Sequence, residues 1–187
     1  MKWFIMSDIH GSAYWCEKAL ERFEKEKCDR ILLLGDILYH GPRNPLPDGY
    51  EPGRVVEMLS ARKNLILCVR GNCEAEVDQM VLPFPVMADY AAVSDGETTV
   101  YATHGHRYNA DNPLPLVRGD ILLSGHTHVP ARCEKDGIYY FNPGSVSLPK
   151  QQSEHSYMIW EKELFIWKNM RGEKYDEFIC AAAAENS

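Results

Sequence analysis

The chain has 187 residues, 45% of them hydrophobic, and a formal net charge of −7. That size and apolar content suit a single domain, residues 1–187, with a substantial core. The acidic balance argues against a long nucleic-acid duplex as partner, and no apolar run approaches the length of a membrane span.

Residues 2–6 and 30–34 are short, almost wholly apolar runs and predict strands covered on both faces. Between them, Trp15, Cys16, Ala19, Leu20 and Phe23 recur at helical spacing and predict a helix over 12–27. A second helix is predicted over 52–62, with proline in its first turn, and a third strand over 64–69. A short helix over 74–81 and strands over 98–103 and 120–123 continue the series. Further strands are predicted at 139–142, 157–161 and 164–168, and a frayed tail over 181–187. The order implies an α/β fold: a four-layer α/β sandwich of two packed mixed sheets flanked by helices. Tyr157, Trp160 and Trp167 read as core or an oligomer face rather than base-stacking platforms, which leaves a homo-oligomer open. The proline- and glycine-rich loop over 39–53 is either a surface connection or the rim of a site, since it follows Asp36 directly.

The six cysteines are scattered without a CxxC pair, and the first residues read as a strand rather than a secretory leader. Reduced thiols in the cytoplasm are the expectation.

Polar motifs end these apolar runs: Ser7-Asp8-Ile9-His10, Gly35-Asp36, Gly71-Asn72-Cys73, Thr103-His104-Gly105-His106 and Gly125-His126-Thr127-His128. In open α/β sheets functional residues gather beyond the carboxyl ends of strands. A lone aspartate there is usually a turn residue or cap, but several strands delivering Asp, Asn and His to one edge point to a metal site. Carboxylate and imidazole suit divalent Mn, Fe, Ni, Co or Zn, with Mg also possible. Two such ions, less two aspartates and a hydroxide, leave the site about one unit positive, enough to attract a phosphodiester monoanion.

The ordered set D-x-H, G-D, G-N-x, H-G-H and G-H-T-H resembles the calcineurin-like metallophosphoesterase superfamily. The stretch G-D-x-L-x-H-G-P-R-N over 35–44 and Asn142-Pro-Gly-Ser look like its small microbial phosphodiesterase branch. The resemblance implies that Asp8, His10 and His128 hold one metal, that Asn72, His104 and His126 hold another, and that Asp36 bridges them. It implies two ions, often manganese, and in-line attack on a small phosphodiester by a hydroxide held between them. Asp36, Asn72, Cys73 and His104 would then be the catalytic set. A phosphomonoesterase or nucleotide phosphatase, and a non-catalytic scaffold of the same fold, are the alternatives.

In many superfamily members a histidine follows the motif asparagine and assists the leaving group; here the residue is Cys73. A thiol is a poorer proton donor to an alkoxide than imidazolium. Cys73 is either a small lining side chain or a weak donor or redox-sensitive thiol. If it replaces the acid, diesters with good leaving groups are favoured. His40, Arg43 and Asn44 are candidate substrate contacts on the rim, with Cys73 and His106; His106 could instead orient His104.

Overall fold

All of Phe4, Ile5 and Met6 are buried because β1 (Lys2–Met6) has an apolar layer on each face. The computed structural model describes residues 1–94 and 98–180; the predicted tail over 181–187 lies outside them. Phe4 and Met6 point towards α1 (Ala13–Lys25) and α2 (Pro52–Ser60), whose inward residues include Cys16, Leu20, Val55 and Leu59. Trp3 and Ile5 point the other way, into a core shared with a second sheet. Ser12 caps α1, its hydroxyl accepting from Trp15 N at 3.2 Å.

The first sheet runs β11-β10-β9-β1-β2-β3, where β2 is Arg30–Leu33, β3 Ile66–Cys68, β9 Ser156–Glu161, β10 Leu164–Asn169 and β11 Lys174–Ile179. β1, β2 and β3 are parallel; β9, β10 and β11 continue it antiparallel. The second sheet runs β4-β5-β6-β8-β7, with β4 Ala91–Ser94, β5 Thr99–Ala102, β6 Ile121–Leu123, β7 Ala131–Lys135 and β8 Ile138–Asn142. Its three central strands are parallel and its edges antiparallel. A short α3 (Glu76–Val81) follows β3.

Aromatic side chains fill the space between the sheets. Trp160 stacks near Trp3 (6.3 Å) and Phe165 (5.7 Å), and Phe141 meets Trp167 edge-on at 5.1 Å. Trp160 and Trp167 are thus core residues of this chain. The two mixed sheets are as predicted. On the outer face of the second sheet, Leu114, Tyr108 and Leu116 of a loop pack on Leu122 and Tyr140.

Three strands absent from the sequence reading, β4, β7 and β11, are all sheet edges. Every residue of β7 is exposed, so it carries no apolar alternation to detect.

Candidate metal centre

The motifs meet at one end of the molecule. Asp8 and His10 follow β1, Asp36 follows β2, and Asn72 follows β3, all from the first sheet. His104 follows β5, and His126 and His128 follow β6, from the second. Asp8, His10 and His128 bring ligand atoms within 4.8 Å of one another; so do Asp8, Asp36 and His104, and so do His10, Asp36 and Cys73. Asn72 joins through its Oδ1, 3.2 Å from His104 Nε2. His126 lies beside His104 with ring centroids 5.1 Å apart, outside the tight groups.

The histidine orientations are fixed from behind. His10 Nδ1 lies 2.8 Å from Tyr39 O, His104 Nδ1 2.7 Å from Leu34 O and His128 Nδ1 2.6 Å from Leu148 O. A carbonyl only accepts, so each Nδ1 carries the hydrogen and each neutral ring offers a lone pair at Nε2. The His10 and His128 Nε2 atoms then face each other at 3.1 Å. Asp8 Oδ1 is 3.6 Å from one and 3.3 Å from the other, buried, and accepts no hydrogen bond. With both rings neutral, three acceptors would meet in a buried space, an arrangement that a cation among them satisfies. The donor set therefore fits a divalent metal ion.

Five of the seven candidate ligands adopt left-handed backbone: Asp8 (φ 58°), His10 (50°), Asp36 (53°), His126 (67°) and His128 (62°). This conformation costs an L-residue roughly 1–2 kcal/mol, least for Asp, Asn and His. Cross-loop bonds hold it in place: Asp8 N to Gly35 O (3.1 Å), His10 N to Asp36 O (2.9 Å) and His126 N to Asp8 Oδ2 (3.1 Å). Two glycines make room for this packing. A Cβ on Gly125 would strike Ser7 Oγ and Asp8 Oδ2, and one on Gly71 would strike Asp36 Oδ1.

Glu74, read in the sequence only as the start of a helix, ties the loops together. Its Oε2 accepts from Asp36 N (2.9 Å) and Gly71 N (2.5 Å), and its Oε1 from Ile37 N (2.7 Å). Burial and then the Asp36 charge push its carboxyl up to about 7, against the pull of those three donors. Ser145 and Ser147 perform a similar service for the first motif, both hydroxyls donating to Asp8 O.

Cys73 donates from its backbone N to Asp36 Oδ1 (2.9 Å) and from Sγ to Asp36 Oδ2 (3.2 Å). Burial and the adjacent Asp36 charge push its thiol up, which keeps it protonated in the metal-free protein. A cavity of about 520 Å³ opens at the site; Asp36, Asn72, His126 and His128 line it together with Arg43 and Asn44. Two other rim candidates lie outside that lining: His40 packs edge-on against Tyr39 and Tyr50, and His106 lies 5.4 Å from the His104 ring. Burial and the His104 charge lower His106 to about 4, so it is a neutral imidazole. Lys150 also lines the cavity; no strand-end motif marks it.

In the metal-free protein, burial disfavours charge on His104, but its contact with Asp36 and the charge of Asp8 outweigh this and raise it to about 9. The stability this pairing contributes is complete below 6.5 and is lost as pH rises through about 9. The same proton must leave before Nε2 can take an ion. Divalent-metal affinity is therefore expected to climb with pH, about tenfold per unit for the proton displaced. Calorimetric titrations between about pH 6 and 8 would measure it; a flat affinity would contradict a ligand role for His104.

The calcineurin-like phosphoesterase superfamily domain matches residues 1–163. The chain is 42% identical over 164 residues to phosphodiesterase YfcE of Escherichia coli (strain K12), covering 88% of this chain and 89% of that one. The solved structure of the phosphoesterase Yfce from E. coli superposes with a TM-score of 0.93 at 38% identity, over 97% of this chain and 100% of that one. Vacuolar Protein Sorting 29 from Cryptosporidium parvum shares the fold alone, with a TM-score of 0.60 at 19% identity over 95% of this chain and 97% of that one. The chain belongs to the calcineurin-like phosphoesterase superfamily.

Proposed function

We propose that the protein is a metal-dependent phosphodiesterase acting on a small phosphodiester, with two divalent ions that are manganese by preference. Asp8, His10 and His128 would hold one, and Asn72, His104 and His126 the other, with Asp36 between them. The observation that carries this reading is the partnerless Asp8 Oδ1 facing the lone pairs of His10 and His128. The likeness to phosphodiesterase YfcE supports diester over monoester hydrolysis. When bound, such ions activate water and neutralise charge on the phosphoryl oxygens.

The chain's own part is positional. The backbone carbonyls of Tyr39, Leu34 and Leu148 fix the three imidazoles, and Glu74 fixes the Asp36 and Gly71 backbones. Asn72 is neutral, so it adds an oxygen without reducing the positive charge that draws the substrate. The six cysteines form no disulfide among the described residues, which supports a cytoplasmic protein. Among those residues, no helix is long and apolar enough to cross a membrane.

The test is hydrolysis of bis(p-nitrophenyl) phosphate with Mn, Zn, Fe, Ni, Co or Mg supplied in turn, beside metal analysis of the purified protein. Protein that binds no metal and turns nothing over would favour the scaffold reading instead.

Cys73 sets the expected substrate range. A thiol is a poorer acid for a departing alkoxide than imidazolium, so rates should fall steeply as the leaving group becomes more basic. Cys73→His is expected to flatten that dependence and raise phenyl relative to p-nitrophenyl turnover about tenfold. An unchanged dependence on leaving-group basicity would remove Cys73 from the leaving-group side.

A further inference from the structure

Two cations share the cavity over the metal centre, Arg43 on one loop and Lys150 on another. Neither enters an ion pair or a side-chain hydrogen bond among the described residues. Elsewhere on this acidic chain such groups are commonly neutralised, as Arg107 is by Asp89 and Arg132 by Asp176. Among the described residues the one carboxylate lining the cavity is Asp36, which the proposed function assigns to the metal ligands. A phosphodiester carries one negative charge, which the metal centre can match unaided. Two further uncommitted cations are in excess for such a substrate.

Both cations are held on anchored backbone. Lys150 N donates to the carbonyl of the ligand residue His128 at 3.2 Å. The following turn is closed by Ser153 N to Lys150 O (3.0 Å) and Ser153 Oγ to Lys150 O (2.6 Å). Its central residues, Gln151 (φ 54°) and Gln152 (φ 62°), are left-handed without being glycine or asparagine. On the other side, Asn44 Nδ2 donates to His40 O at 2.8 Å and fixes the bend that presents Arg43. A Cβ added at Gly41, in the same bend, would lie 3.4 Å from Cys73 Sγ, so this loop passes close to Cys73.

Apart from Asp36, no carboxylic acid lines the cavity among the described residues. Among the described residues, and beyond the proposed metal ligands, its ionisable lining is Arg43 and Lys150, both donors only. A leaving group that departs here must therefore be stable as an anion. A phosphate monoester, whose second pKa is about 6, meets that condition, and its charge suits two cations.

We propose that Arg43 and Lys150 form a subsite for a second phosphoryl group, and that the substrate is a diester of pyrophosphate, R–O–P–O–P–O–R′. The proposal rests on the phosphodiesterase reading and narrows it. In the reaction, a water oxygen bonds to one phosphorus and the bond from that phosphorus to the bridging oxygen breaks. The electron pair stays on the bridging oxygen, which leaves as part of the second phosphate monoester. The two protons of the water end on the two monoester products or in solution. Arg43 and Lys150 bind the departing phosphoryl group and offset the charge it gains.

The test uses the manganese-loaded protein and two substrates, diadenosine pyrophosphate and bis(p-nitrophenyl) phosphate. Binding of the methylene-bridged analogue of the first, which cannot be cleaved at P–C–P, gives a readout independent of turnover. Arg43→Ala and Lys150→Ala are each expected to weaken analogue binding about tenfold. Each should also lower the kcat/KM ratio of pyrophosphate to aryl substrate by a similar factor, with Lys150→Arg restoring most of it. Aryl turnover without pyrophosphate cleavage overturns the subsite and leaves the phosphodiesterase reading standing. Analogue binding unchanged in both alanine variants, or both substrates slowed in equal proportion, also overturns it. Turnover of neither substrate by wild-type protein overturns both readings together.

Discussion

Asp36→Asn is expected to lower aryl phosphodiester turnover at least about a thousandfold and to reduce bound metal from two ions towards one. Asp36 Oδ1 lies 3.5 Å from His104 Nε2, and Oδ2 lies 3.7 Å from His10 Nε2. Each oxygen thus faces a different histidine group, the placement a bridging ligand needs. An amide keeps the shape but replaces one oxygen with NH2, which has no lone pair to offer a cation. In the proposed arrangement it would also remove the negative charge that holds two like-charged ions near each other. Burial alone would raise the Asp36 carboxyl, yet its contact with His104 holds it below the usual range, so the native group is ionised. Elemental analysis and steady-state rates on the variant would check both expectations. Full occupancy with near-normal turnover would show that Asp36 is not shared. An unchanged Tm with lost activity would separate the chemical from the structural effect.

Glu74→Ala is expected to cost about 3–5 kcal/mol of stability, a fall in Tm on the order of 10 °C for a chain of this size. Three backbone donors, at Asp36, Ile37 and Gly71, would lose their acceptor in a buried place. Each orphaned donor costs roughly 1–3 kcal/mol, and water entering the gap recovers part of it. Glu74→Gln distinguishes charge from hydrogen bonding. Its single carbonyl oxygen can keep the Asp36 and Gly71 donors, while its NH2 opposes Ile37 N, so an intermediate loss is expected. Thermal melts of the three proteins would give the order wild type, Gln, Ala. If Ala melted with wild type, the Glu74 clasp would have no energetic weight.

Glu74 also marks where sequence reading stops. An acid in the first turn of a short helix is ordinary, and nothing local distinguishes one that reaches back to two other loops. The metal-ligand candidates were legible for the opposite reason. Each follows an apolar run that must be a strand, so topology alone brings Asp8, Asp36, Asn72, His104 and His126 to one edge. β1 and β2 were legible because both their faces are buried. β4, β7 and β11 were not, because an edge strand is defined by its neighbour's unpaired backbone rather than by its own side chains. Lys150 escaped notice because its relevance comes from a bond to His128, a residue far from it in sequence.

The two sheets contribute ligands unequally but never separately. In the proposed arrangement, one ion takes Asp8 and His10 from the first sheet and His128 from the second. The other takes Asn72 from the first and His104 and His126 from the second. Each ion is therefore a cross-tie at the open end of the sandwich, opposite in nature to the aromatic packing that joins the sheets inside. The folded population then depends on free metal: an ion present at a thousand times its Kd adds about 4 kcal/mol. Proteases act on whatever fraction is open, so a cell short of the metal would lose the protein itself along with its turnover.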